Sequence, residues 1–175
     1  MRRGPSPAEK LRIEAWAYGR GQREALLQRY CEEYGLSEAP PPALVIDELM
    51  TDFLDIKLRF DPLPPDRFAQ TRVVNGTTVV TVNSLTAKIR GVKDAMGVQN
   101  VGKWHELIHV LDDQAELRHI PQNRFPGFEE PPAVVCMRSG DTPRSGGFNR
   151  REFWAEEAGR AAAVSYPALA RSPAT

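Results

Sequence analysis

The chain has 175 residues, 41% of them apolar and 26% charged, which fits one globular domain or a domain with an appendage rather than a disordered chain. Lys plus Arg and Asp plus Glu both number 23, and this balance removes the main electrostatic argument for direct binding of nucleic acid by the whole surface. No segment approaches the roughly 20 apolar residues of a membrane span, and residues 1–7 lack the apolar run of a signal peptide, so we expect a cytoplasmic protein that engages no membrane. The cysteines, Cys31 and Cys136, are isolated, which fits a reducing compartment and argues against a cysteine-built zinc site.

The first part of the chain is predicted to be helical. Apolar residues recur at helical spacing through residues 8–34, where Gly19 and Gly21 could divide the helix in two. Consecutive prolines make residues 38–42 a connector, and a second helix is expected over residues 43–54.

The hydrophobic period then changes to that of strands. Residues 56–60 alternate apolar and polar side chains, which predicts a strand with one buried face. Residues 68–74 and 77–82 are β-prone and are joined by Asn75-Gly76, a strong hairpin signal because both residues tolerate positive φ. We therefore expect a small three-stranded antiparallel sheet.

Three further helices are predicted in the second half of the chain, over residues 85–96, 101–117 and 150–165. Ser84 could cap the first of them, and Asn149 with Glu152 resembles a capping box at the start of the last. Residues 120–147 read as irregular loop with a short strand at 134–136. The predicted fold class is α+β, with the sheet packed against a helical bundle.

The helix over residues 101–117 contains the pattern H-E-x-x-H. Residues four apart lie one turn above each other on a helix, so His105 and His109 can point at one metal ion, and Glu106 can take a proton from water held there. The apolar residues around them recur at i, i+3, i+4 and i+7, as expected for an amphipathic helix: Trp104, Leu107, Ile108 and Leu111. The sequence therefore predicts a metal centre with His105 and His109 as ligands and Glu106 as general base.

A catalytic zinc site usually has a third protein ligand. His119 is a weak candidate, since it lies well beyond the position where a metzincin pattern places its third His. Glu157 shares a helix face with apolar residues, where a carboxylate needs a partner such as a metal ion. Glu156 is spaced to form a surface ion pair with Arg160. We therefore expect Glu157 to be the third ligand, with Glu156 and His119 as alternatives.

Two carboxylates follow the second His. Asp112 or Asp113 could accept a proton from the back nitrogen of an imidazole, although a solvated helix end is the simpler interpretation.

The order of these features resembles the ImmA/IrrE family of metallo-endopeptidases, over about residues 45–163. The resemblance is carried by Val79-Val80-Thr81-Val82-Asn83, by His105-Glu106-Leu107-Ile108-His109, and by Glu157-Ala158 with Ala161-Ala162. It implies a gluzincin-like site with Glu157 as third ligand, and a substrate that is a DNA-binding transcriptional repressor, cut to switch on stress or mobile-element genes. The chain departs from the family at Ile108, where Gly is usual, at Arg160, where Phe is usual, and at residues 165–167, where Leu-Met-Pro is usual.

These features together lead us to expect a zinc-dependent endopeptidase with a protein substrate. Two His and one Glu suit Zn²⁺ best and are compatible with Mn²⁺ or Fe²⁺. The expected organisation is an N-terminal helical extension (1–40), a metallopeptidase domain (41–168) and a flexible tail (169–175). The alternative is a catalytically weak metal-binding partner module, such as a toxin–antitoxin or regulatory component.

Overall fold

Four helices and a three-stranded sheet form the part of the chain that the computed structural model describes, residues 4–117 and 149–164. The elements are α1 (Pro7–Tyr34), α2 (Pro42–Glu48) with a π-helical turn (Leu49–Phe53), β1 (Lys57–Asp61), β2 (Ala69–Val74), β3 (Thr77–Asn83), a 3₁₀ turn (Thr86–Lys88), α3 (Ala95–Leu117) and α4 (Arg150–Ala163). The predicted α+β class is confirmed. The predictions for His119, residues 134–136 and the tail 169–175 lie outside the described residues.

α1 is one continuous helix of 28 residues, so its glycines do not divide it. Ser6 and Glu9 form a capping box at its start, each side chain accepting a hydrogen bond from the backbone of the other. Gly19 instead permits α1 to pack closely against α4. α1 crosses α4 so closely there that a Cβ on Gly19 would lie 2.0 Å from the carbonyl oxygen of Ala158.

α3 begins at Ala95, earlier than the sequence indicated. Asp94 caps it, since Asp94 Oδ1 accepts from the backbone N–H of Gly97 at 2.9 Å. The separate helix predicted over residues 85–96 is therefore wrong. Its first part is the 3₁₀ turn, and its last residues belong to α3.

The sheet has the strand order β1-β3-β2. The predicted hairpin is confirmed, with β2 antiparallel to β3 and with Asn75 (φ 49°) and Gly76 (φ 75°) in the turn. β1 pairs with the other edge of β3 in the parallel direction, so the sheet is mixed and the prediction of a fully antiparallel sheet is wrong. The chain does reverse between β1 and β2, but β3 is inserted between them, and no local sequence signal specifies that insertion.

The loop from β1 to β2 crosses the end of β3, where Asn83 holds it. The Asn83 side chain is fully buried. Its amide nitrogen donates to the carbonyl oxygens of Leu63, Pro64 and Arg67. Its amide oxygen accepts from the backbone N–H groups of Leu63 and Leu85. One side chain therefore satisfies the backbone polar groups that the crossing removes from water.

Two apolar clusters hold the helices to one another and to the sheet. The main cluster joins α1, α2, α3 and the sheet and includes Leu26, Tyr30, Ile46, Val80, Trp104 and Leu107. The smaller one lies where α1, α3 and α4 meet and consists of Ala15, Ile108, Ala155 and Ala158. Arg23 of α1 also donates to the carbonyl oxygens of Ala161 and Val164 at the end of α4. α1 thus contributes to both clusters, and the domain boundary at residue 40 stays a prediction.

Within the described ranges, no helix is both long enough and apolar enough to cross a membrane.

The crossing of α1 and α4 generates a stability prediction with a matched control in the same helix. Gly19→Ala should destabilise the protein by about 1–3 kcal/mol, because the new methyl group forces the two backbones apart. Gly21→Ala meets no atom within 4 Å and should be neutral or stabilise by up to about 1 kcal/mol through helix propensity. Urea unfolding measures both, and equal midpoints for the two variants would contradict the close crossing.

Candidate metal centre

α3 presents the two imidazoles of the motif as the sequence predicted. His105 Nε2 and His109 Nε2 are 3.1 Å apart, and both side chains are buried. The apolar stripe beside them is buried against the two clusters, with Trp104, Leu107 and Ile108 fully inaccessible. Both imidazoles are therefore held by a helix whose neighbouring apolar side chains are buried in the core.

The third side chain at this point is Glu152, at the start of α4. Its Oε1 lies 3.1 Å from His109 Nε2, and its Oε2 lies 3.4 Å from His105 Nε2. One ligand atom from each of the three residues falls within 4.8 Å of the others, so His105, His109 and Glu152 form a possible metal-binding triad. Two imidazole nitrogens and one carboxylate oxygen suit a divalent cation such as zinc.

Glu152 reaches the imidazoles because α4 packs directly on α3. A Cβ on Gly159 would lie 2.8 Å from the Cα of His105, so the absent side chain permits this approach. Glu152 and Gly159 are seven residues apart, which places them on one face of α4. Asn149 caps α4 by accepting from Glu152 N, while the Glu152 carboxylate turns to the imidazoles instead of closing a capping box.

The surroundings of Glu152 favour its ionised form. Burial opposes ionisation of Glu152, but hydrogen bonds and charges of the two imidazoles outweigh it and lower its pKa to about 2. Burial by itself lowers the pKa of His105, but Glu152 and the neighbouring carboxylates Glu106 and Glu156 outweigh burial and raise it. The carboxylate is thus already in the ionised form that a metal ligand needs.

Glu106 lies beside the triad in a protected position. It is 2% exposed, and its Oε2 accepts a hydrogen bond of 2.6 Å from Thr71 Oγ1 on β2. Burial raises the pKa of Glu106, while His105, the Thr71 hydroxyl and His109 act in the opposite direction. A buried carboxylate held next to a cation site has the placement of a general base.

A cavity of about 380 Å³ opens onto His105 and Glu106. Its wall is largely apolar, with Phe68, Val98 and Val101 among its lining residues. Its size falls within the range of small-ligand pockets. The site therefore has room for a substrate group next to the triad.

The outer edge of β2 runs past the same place. Phe68 O accepts from Asn83 N at 2.7 Å, and the alternation of an antiparallel ladder then directs the backbone groups of Ala69, Thr71 and Val73 away from β3. In the described ranges no strand pairs with this edge. An extended chain could add to it as a further strand.

The two other glutamates of α4 point elsewhere. Glu157 Oε2 accepts from Trp16 Nε1 at 2.7 Å and lies 3.5 Å from Arg12 Nε, so its buried carboxylate binds α1 and not the histidines. The expectation was that Glu157 would be the third ligand, but the structure places Glu152, and not Glu157, beside the two histidines. Glu156 forms the predicted surface ion pair with Arg160.

The sequence favoured Glu157 over Glu152 because of the apolar neighbours of Glu157, the expected pairing of Glu156 with Arg160, and the family resemblance. The available signal was the set of small residues in register with Glu152, since Ala155, Gly159 and Ala162 mark the face of α4 that approaches another helix closely.

Asp112 accepts from the Tyr18 hydroxyl at 2.7 Å, while His109 Nδ1 is buried without a hydrogen-bond partner in the described residues. The side chain of Asp113 lies outside them.

No protein-family model, curated protein or solved structure matches this chain.

The placement of the glutamates generates a metal-binding prediction. Glu152→Gln should weaken zinc binding by at least about 100-fold, because losing a direct ligand should cost more than losing an outer partner of a ligand. Glu157→Gln should change zinc affinity by less than about threefold, because its amide oxygen still accepts from Trp16. Zinc competition against a chromogenic chelator measures both. The reverse ranking, with zinc lost only in Glu157→Gln, would contradict the triad.

Proposed function

We propose that this protein is a zinc-dependent endopeptidase of the ImmA/IrrE type. The observation that carries the proposal is the convergence of His105, His109 and Glu152 beside a buried Glu106, where an open cavity is lined by His105 and Glu106. Two His and one Glu form the donor set of one class of catalytic zinc site. When bound, zinc supplies Lewis-acid polarisation of the substrate carbonyl and of water.

Glu106 moves the protons of the reaction. Its Oε2 is held by Thr71, which leaves its Oε1 to accept a proton from the attacking water. As the C–N bond breaks, the same carboxyl group returns that proton to the leaving amine nitrogen. Water is consumed, and a carboxylic acid and an amine are produced, so one residue acts first as base and then as acid.

The surroundings of the site support a polypeptide substrate. An extended segment pairing with the outer edge of β2 would pass the triad, and the apolar cavity would take one of its side chains. The resemblance to the ImmA/IrrE family adds the expectation that the substrate is a DNA-binding repressor. The resemblance concerns the motif and the order of elements, and the third ligand of this proposal is Glu152 and not Glu157.

A pure metal-binding module is the alternative. A binding module needs the ligands but has no use for a buried carboxylate such as Glu106, which favours the enzyme.

The general base provides the decisive test. Glu106→Gln should keep the fold and the zinc, because its side-chain carbonyl oxygen can still accept from Thr71, but should lower cleavage by about 10²–10⁴-fold. Substrates are a proteome-derived peptide library read by mass spectrometry and any repressor encoded beside the gene. A zinc-loaded wild-type protein that cleaves neither would favour the binding module, and equal rates for wild type and Glu106→Gln would assign the base to another group.

A further inference from the structure

We propose that Thr71 is a positioning residue that orients the Glu106 carboxylate for proton transfer, an inference that rests on the proposed peptidase function. Thr71 Oγ1 donates to Glu106 Oε2 at 2.6 Å, and this leaves Oε1 as the oxygen that accepts the proton.

The contact is built for orientation. The last torsion of a Glu side chain is broad, so the α3 backbone places Glu106 without fixing the plane of its carboxylate. The Thr71 hydroxyl supplies one short donor to the Glu106 carboxyl oxygen, and hydrogen bonds of this kind are among the stronger ones when the carboxyl group is ionised. Thr71 itself is β-branched, which restricts its own side-chain torsion. The conformationally restricted Thr71 hydroxyl thus fixes the orientation of the Glu106 carboxylate, whose own last torsion is loosely restrained.

Strand β2 holds the donor, Thr71, in a fixed position. Thr71 is 4% exposed and is paired with Val80 of β3, and the β2–β3 hairpin is closed by the Asn75-Gly76 turn. Among the described residues, Thr71 is the hydrogen-bond partner of Glu106. The orientation of the base therefore depends on β2, an element outside the H-E-x-x-H helix.

Thr71 also connects the base to the open edge of the sheet. Its side chain contacts Glu106, while its backbone groups point to the side where no strand pairs in the described residues. A peptide added to that edge would bind the backbone of the residue whose hydroxyl orients the base. Thr71 would thus contribute both to the pairing of a substrate strand and to the orientation of the base.

Two comparisons separate orientation from structure, wild-type Thr against Val and Ser against Ala, because the two residues in each comparison differ mainly in the hydroxyl. Thr71→Val should lower kcat by about 10- to 100-fold, with KM and zinc affinity changed by less than about threefold, because a hydrogen bond to a charged group is lost. Thr71→Ser should stay within about threefold of wild-type kcat. The comparison of Thr71→Ser with Thr71→Ala tests the positioning role if Thr71→Val does not fold. We expect kcat of Thr71→Ser to exceed kcat of Thr71→Ala by about tenfold.

Thr81→Val is the matched control. Thr81 is a buried threonine of β3, whereas the threonine hydroxyl that binds Glu106 is that of Thr71, so this variant should keep wild-type kcat. Wild-type kcat in Thr71→Val would overturn the positioning role. Equal losses of kcat and thermal stability in Thr71→Ser and Thr71→Ala would also overturn it, in favour of a packing role. Absence of cleavage by the zinc-loaded wild type would instead reject the peptidase function itself, and the positioning role with it.

Discussion

The close contact between α3 and α4 is the constraint on which the site depends. Gly159 lets the α4 backbone approach His105 more closely than any side chain would allow, and Glu152 lies on the same face of α4 two turns earlier. Without that approach the two imidazoles would face a gap in place of a carboxylate. A glycine that touches no ligand atom thus decides which glutamate completes the triad.

α1 fixes the other side of α4. Gly19 permits a second close crossing at Ala158, Trp16 and Arg12 bind the Glu157 carboxylate, and Arg23 caps the end of the helix. α4 is therefore clamped between two helices at neighbouring positions. This explains why Glu152 and Glu157 have different partners, since one face meets α3 and the other meets α1.

The sheet supplies the remaining part of the site from the opposite direction. Asn83 holds the loop crossing that allows β3 to lie in the centre, and this leaves β2 as an edge strand beside the motif helix. Thr71 and the cavity wall at Phe68 both come from this edge. The three residues of the possible metal-binding triad thus come from two helices, while the hydrogen bond to Glu106 and part of the cavity wall come from the sheet.

The sequence by itself determined the local features: the long first helix, the Asn75-Gly76 hairpin, the amphipathic motif helix, and His105, Glu106 and His109 on it. These follow from turn chemistry and helical spacing, which act over a few residues. Only the tertiary structure decided that β1 is parallel to β3, that Thr71 binds Glu106, and that Glu152 rather than Glu157 meets the histidines. α4 carries the partly buried Glu152 and the buried Glu157 on two faces. The small residues in register with Glu152 mark a face that packs closely, but which neighbour each face meets depends on packing between segments far apart in the chain.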